Sequence, residues 1–171
     1  MKTVALIWGL FAVVFFLLSY LQKKRTNIVI LNFTSRVLYV AQYLILGAFE
    51  GAVLDVLGAI SAFLAQKNEV KFINKHKKII FVITNLTIIA AGILLYENIF
   101  SLFPLVGILL QSGALWFKRE KYIRIVSMIG CPFWFTYNFV SGAYGSCVGD
   151  LLAFVFLLIA FVRYNVIKKE E

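Results

Sequence analysis

The sequence predicts an all-α integral membrane protein with seven transmembrane helices. They are arranged as a group of three, one connecting helix and a second group of three. Three observations predict this fold class. The 171 residues are 62% hydrophobic and 15% charged, whereas soluble domains average about 45–50% apolar and about 25% charged residues. The chain also contains seven long apolar runs, and two of its segments align with each other at a constant offset.

Each apolar run is expected to form a transmembrane helix. A hydrocarbon core of about 30 Å requires about 20 residues of helix, and the runs do not alternate as the strands of a membrane barrel do. In chain order, the runs are 3–21, 28–47, 51–66, 79–96, 99–117, 123–141 and 147–163. Because they consume most of the chain, we expect residues 1–171 to form a single transmembrane domain.

Positive charges concentrate in alternate loops. When the loops are assigned in turn to the two sides of a membrane, one side collects fifteen of the seventeen Lys and Arg residues. These residues are Lys23, Lys24, Arg25, Lys67, Lys71, Lys75, Lys77, Lys78, Lys118, Arg119, Lys121, Arg124, Arg163, Lys168 and Lys169. The positive-inside rule then places the N-terminus outside and the C-terminus in the cytoplasm. The net charge of +9 is thereby explained by topology, with the lipid bilayer rather than nucleic acid as the expected partner.

The sequence shows no arrangement of residues that indicates enzyme chemistry. It contains no His-Glu pair, no Ser-His or Cys-His arrangement and no phosphate-binding loop. Cys131 and Cys147 fall within apolar segments without metal-ligand spacing, so they are read as small buried hydrophobes. We therefore expect no enzymatic activity, no catalytic residue, no metal and no cofactor.

Residues 22–66 align with residues 117–161 at an offset of 95 without a gap. In the most similar window, GAFEGAVLDVL corresponds to GAYGSCVGDLL, and Asp55 corresponds to Asp150. The sequence therefore predicts a first three-helix repeat over 1–66, a linker helix over 79–96 and a second three-helix repeat over 99–165. Because the offset equals four spans, both repeats face the same way, and an axis along the membrane normal relates them.

Polar side chains form a stripe on the second predicted helix. Arg36, Tyr39 and Tyr43 follow one another at spacings that place them on one helix face. The offset of 95 pairs Tyr39 with Trp134 and Tyr43 with Asn138 on the sixth helix. Two explanations other than a binding site remain open. The polar side chains could serve only to form hydrogen bonds between helices. The aromatic ones could instead belong to the interfacial aromatic belt, an explanation that suits Tyr43 and Tyr144 best.

The charged residues Arg36, Asp55 and Asp150 lie within predicted spans. An Arg or Asp near the centre of a membrane helix costs about 2.5–3.5 kcal/mol on insertion scales, and such residues indicate a functional site by default. We expect Arg36 to pair with Asp55 or Asp150, which leaves the other carboxyl without a basic partner. A structural ion pair, or hydration of an Asp near the outer surface, would also explain these residues. The candidate substrate-binding residues are Arg36, Tyr39, Tyr43, Asp55, Trp134, Asn138 and Asp150.

The segments LFPLVGILLQSGALWF and FWFTYNFVSGAYGS resemble the YgjV family of small bacterial inner-membrane proteins. In that family a Leu-Pro-x-x-Gly helix precedes a Trp-x-x-x-Asn-Phe-x-x-Gly segment. The matching positions are Pro104, Gly107, Trp134, Asn138, Phe139 and Gly142. The resemblance is strong over 100–150 and weaker over 40–60, and it implies a bacterial inner-membrane protein.

A more distant likeness is to PQ-loop and SWEET-type carriers, which share the three-one-three organisation and form a pocket between the triplets. Their Pro-Gln pair is absent, because Pro104 is followed by Leu105 and Gly9 takes the place of Pro104 in the first helix. The likeness implies a small carrier, with a polar solute, an ion or a proton as cargo. The alternative is a structural or partner-subunit membrane protein that transports nothing. The sequence contains no feature that indicates an oligomeric state.

Overall fold

The computed structural model describes residues 2–67 and 70–165, and every regular element in these ranges is helical. The α-helices are α1 Lys2–Leu21, α2 Arg25–Leu46, α3 Phe49–Gln66, α4 Lys71–Lys75, α5 Lys77–Leu94, α6 Leu102–Ala114, α7 Glu120–Val140 and α8 Tyr144–Asn165. A 3-10 turn, Ile99–Ser101, precedes α6. The all-α fold class is confirmed for this part of the chain. Lys168 and Lys169 of the basic set lie outside the described residues.

Within residues 2–67 and 70–165, five helices are long and apolar enough to cross a membrane. The candidate spans are Thr3–Leu21, Thr26–Leu46, Phe49–Gln66, Lys77–Leu94 and Tyr144–Tyr164. The predicted span 99–117 is shorter than expected because α6 covers only 13 residues. The amides of Leu115 and Trp116 bond three residues back, to Ser112 and Gly113, so the helix tightens and ends there. Helix α7 has 21 residues but is not one of these candidate spans, because polar side chains such as Arg124 lower its mean hydropathy.

Six of the helices contact one another in a closed circuit. In order around the bundle these are α1, α2, α3, α6, α7 and α8, and α8 packs back on α1. Helix α5 packs on the outside, against α3 and α6. Short connections make successive helices antiparallel. The bundle therefore has a basic end, marked by Lys23 and Arg119, and a turn end, marked by Gly47 and Gly142.

The two glycines at the turn end have a left-handed backbone conformation. Gly47 has φ +77° and Gly142 has φ +72°. Residues other than glycine rarely adopt this backbone conformation, which commonly ends a helix. The two turns lie 95 residues apart, the offset found in the sequence. The starts of α2 and α7, at Arg25 and Glu120, and those of α3 and α8 have the same offset.

The bundle is apolar on its outer face and partly polar in its centre. Large side chains such as Ile93 and Leu94 of α5 are 67% and 85% exposed, as suits a surface that faces lipid. At the basic end, buried residues form an apolar cluster, which we call the basic-end cluster. It consists of Ile28, Val29, Ala62, Ala65, Ala114, Leu115, Trp116 and Ile123.

Arg124, counted with the basic loops, lies within a helix, as the predicted run 123–141 implies. It belongs to the first turns of α7 and is buried. Its Nη2 atom donates to the carbonyl oxygen of Gln22 at 3.4 Å. Its guanidinium carbon also lies 5.1 Å from the centre of the Tyr164 ring, in the range of a cation–π contact. These contacts shelter a positive charge at the basic end.

Candidate functional site

A small cavity lies at the centre of the six-helix circuit, and each of the six helices contributes to its lining. The lining residues are Phe16, Ser35, Arg36, Tyr39, Tyr43, Asp55, Gln111, Trp134, Asn138 and Asp150. Its volume of about 20 Å³ is room for about one water molecule. All seven candidate residues from the sequence are in this lining. The structure therefore brings them together, while their role in binding stays a prediction.

Arg36 is the only basic residue of the cavity lining, and it is buried. Its Nη1 atom donates to Oδ1 of Asp55 at 2.7 Å, which is the expected ion pair. Its Nε atom donates to Oδ1 of Asn32 at 3.0 Å, and its Nη2 atom donates to Oε1 of Gln111 at 3.4 Å. Gly58 makes room for this side chain, since a Cβ atom there would lie 2.9 Å from Nη1 of Arg36. The guanidinium thus links α2 to α3 and α6.

Asp150 is the second carboxyl of the cavity, and its hydrogen-bond partner, Asn138, is neutral. The side chain is buried on α8, and Nδ2 of Asn138 donates to its Oδ2 atom at 2.8 Å. Within the described residues, the ion pair of the cavity is the one between Arg36 and Asp55. The cavity therefore holds two carboxyl groups and one guanidinium.

Tyr43 and Asn138 join the two halves of the chain at the cavity. The Tyr43 hydroxyl donates to Oδ1 of Asn138 at 2.7 Å, and the two residues are 95 positions apart. Equivalent positions of the aligned segments are therefore in direct contact. The aromatic-belt explanation is wrong for Tyr43, which is 1% exposed because its hydroxyl finds this partner inside the bundle. It fits Tyr144, which is 64% exposed.

Two further hydrogen bonds between the halves correspond to each other at the same offset. The Ser146 hydroxyl donates to Oε1 of Gln42 at 2.9 Å, and the amide of Gly51 donates to the Tyr137 hydroxyl at 3.0 Å. Gln42 is equivalent to Tyr137, and Gly51 is equivalent to Ser146. One bond connects α2 to α8 and the other connects α7 to α3, so the two contacts occupy corresponding places.

Three polar groups of the lining have no hydrogen-bond partner within the described residues. They are the Tyr39 hydroxyl, Nε2 of Gln111 and Nε1 of Trp134. Leaving a buried donor unpaired costs about 1–3 kcal/mol, and buried polar groups normally bond to protein or to water. These donors are suited to a small polar species with acceptor atoms. Gln111 was not among the predicted site residues, although it stands out as an amide within an apolar run.

Different residues close the cavity toward its two ends. Toward the turn end lies a vestibule of about 470 Å³, whose lining includes Glu50, Glu97 and Tyr137. The ring of Tyr137 also contacts those of Tyr43 and Trp134, with centroids 6.2 and 6.1 Å apart. A single aromatic layer thus lies between vestibule and cavity. The opposite side is filled by the basic-end cluster, whose members lie beyond the cavity residues on α2, α3 and α6.

Fold and site together define a helical membrane protein with a buried polar centre. A family model described as a bacterial inner membrane protein, Imp-YgjV, matches residues 3–168. The chain belongs to this family, which confirms the resemblance found in the sequence. No curated protein and no solved structure matches the chain significantly. The likeness to SWEET-type carriers therefore rests only on the organisation that the sequence predicts.

Proposed function

We propose that the protein is a carrier of a small polar solute or ion, which alternates access between the halves α1–α3 and α6–α8. The observation that carries the proposal is the buried centre with two carboxyl groups and one guanidinium. An unpaired charge is costly to bury. An asparagine in place of Asp150 would still accept from the amide of Asn138, so a static core has no need of a titratable group there. A carrier can balance the carboxylate with a proton or a bound cation. Ionisable residues inside membranes commonly mark such pathways.

The halves are proposed to be parallel repeats connected by α5. The matching turns, the helix starts and the corresponding hydrogen bonds between halves support this arrangement. In it, α6 and α7 also cross the membrane, which makes seven spans. The polar side chains of α7, such as Asn138, lie inside the bundle, where they avoid lipid. The residues before and after α6, including Ile99–Ser101, add to the length of chain that crosses the membrane at this helix.

The vestibule supports entry from the turn end. The cavity is separated from it by one aromatic layer, whereas several apolar residues fill the basic end. Breaking the hydrogen bond between Gly51 and Tyr137 would allow the Tyr137 ring to move and would open the cavity toward the vestibule. With the basic end in the cytoplasm, the cavity is therefore proposed to open first to the outside.

We expect a cysteine placed in the cavity to react with a small, membrane-impermeant thiol reagent from both sides of the membrane. Ser35 lines the cavity and is fully buried, so Ser35→Cys changes little in size. The background is Cys131→Ser with Cys147→Ser, and the matched control is Ser112→Cys, which is fully buried but outside the lining. Labelling is measured in sealed vesicles of either orientation.

A carrier exposes its cavity to each side of the membrane in turn. The Ser35→Cys variant should therefore be labelled from both sides, whereas the Ser112→Cys control should stay unlabelled. The rival function, a structural or partner-subunit protein, predicts that both cysteines remain equally unreactive. That result would reject alternating access without any knowledge of the solute.

The proposed topology is N-terminus out and C-terminus in, because the basic loops favour the cytoplasm. A reporter that is active only in the cytoplasm should give signal when fused after Glu171, and no signal when fused after Glu97. A second reporter that is active only outside the cytoplasm should show the opposite pattern. Reversed signals would contradict both the charge argument and the proposed direction of entry.

A further inference from the structure

A groove separate from the central cavity lies between α5 and α6 near the basic end. It has a volume of about 370 Å³. Its lining consists of Lys77, Lys78, Phe81, Val82, Gly113, Trp116 and Phe117. Two lysines thus stand at one end of a surface that is otherwise apolar.

Two aromatic rings in contact with each other form the floor of the groove. The Phe81 ring meets the Trp116 ring edge-on, with centroids 6.0 Å apart. The indole N–H of Trp116 donates to the Ser61 hydroxyl at 3.0 Å, which fixes the ring against α3. Open space lies next to Gly113: a Cβ atom built there would have Phe81, at 3.9 Å, as its nearest neighbour, so a longer side chain would extend into the groove.

The lysine end of the groove favours an anion. Lys77 and Lys78 begin α5, and no side chain caps this N-terminus. The partial positive charge of a helix N-terminus adds to that of the lysines. Lys118 and Arg119 follow Phe117 directly on the α6 side. Basic pockets between membrane helices bind lipid headgroups in this way.

We propose that this groove binds one anionic phospholipid. Its phosphate lies against Lys77 and Lys78, and an acyl chain runs along Phe81, Val82 and the backbone of Gly113. An acyl chain matches the apolar floor, and the headgroup charge complements the lysines. The site does not depend on transport, so it stands or falls apart from the carrier function.

The test is a titration of the purified protein with phosphatidylglycerol, followed by native mass spectrometry. The variant Lys77→Gln with Lys78→Gln removes both groove lysines. Its matched control, Lys71→Gln with Lys75→Gln, removes the same charge from α4, which does not line the groove. Gly113→Leu fills the groove and keeps every charge. Phosphatidylcholine with the same acyl chains serves as the neutral lipid.

We expect the affinity for phosphatidylglycerol to fall by about tenfold or more in the groove-lysine variant, because both positive charges beside the phosphate are removed. Gly113→Leu should also lower it, while the α4 variant should bind as the wild type does. Equal losses in both lysine variants would show that only overall charge matters. Unchanged binding to Gly113→Leu, or equal binding of phosphatidylcholine to the wild type, would also overturn the proposal.

Discussion

Replacing Arg36 with methionine should lower the free energy of unfolding by about 3–5 kcal/mol, as expected when one partner of a buried ion pair is removed. Asp55 loses its counter-ion at 2.7 Å, and Asn32 and Gln111 lose a donor. Methionine retains most of the length of the side chain, so the change reports on charge more than on volume. The measurement is thermal or denaturant-induced unfolding in detergent, together with the yield of monodisperse protein.

The double variant Arg36→Met with Asp55→Leu separates the ion pair from packing. Removing both charges leaves no unpaired carboxyl, and such replacements are often neutral or stabilising in soluble proteins. We expect it to recover most of the lost stability. A double variant as unstable as Arg36→Met alone would show that the loss arises from packing or from Asn32 and Gln111. The ion pair would then be a minor contribution.

The positions of the helices followed from the sequence because their signals are local. Each of the seven apolar runs coincides with one of the helices α1–α3 and α5–α8. The length of α6 was missed because its boundaries depend on hydrogen bonds within single turns. At its start, Asn98 accepts from the amide of Phe100 while Ser101 accepts from that of Asn98. Apolar composition continues through both boundaries, so it does not reveal them.

The sequence predicted which residues line the cavity better than it predicted which of them form hydrogen bonds or ion pairs with one another. Helical spacing and the offset of 95 placed Tyr39 with Trp134, and both line the cavity. The burial of Tyr43 depends on Asn138, which lies far away in the chain. Likewise, the pairing of Arg36 with Asp55 rather than Asp150 depends on how α3 and α8 surround α2. Such choices require the packed bundle, because residues distant in sequence decide them.

Asp150 provides the sharpest distinction between a carrier and a static protein. Asp150→Asn keeps the shape of the side chain and an oxygen that accepts from Asn138, but it removes the titratable charge. We expect this variant to fold and accumulate as the wild type does. In the Ser35→Cys background, labelling from the cytoplasmic side should slow by about tenfold or more, corresponding to about 1.4 kcal/mol or more in the barrier. Any dependence of solute flux on pH should be lost as well.

The matched change is Asp150→Leu, which removes the acceptor as well as the charge. If Asp150 serves only packing, Asp150→Asn should be silent, whereas Asp150→Leu should reduce the amount of folded protein, because the amide of Asn138 loses its buried partner. Asp55→Asn extends the test to the equivalent carboxyl of the other half. If both asparagine variants label from either side as fast as the wild type, a charge at the cavity is not needed for opening. Alternating access driven by these carboxyl groups would then be excluded, since the extra carboxyl is the feature that distinguishes this centre from a balanced ion pair.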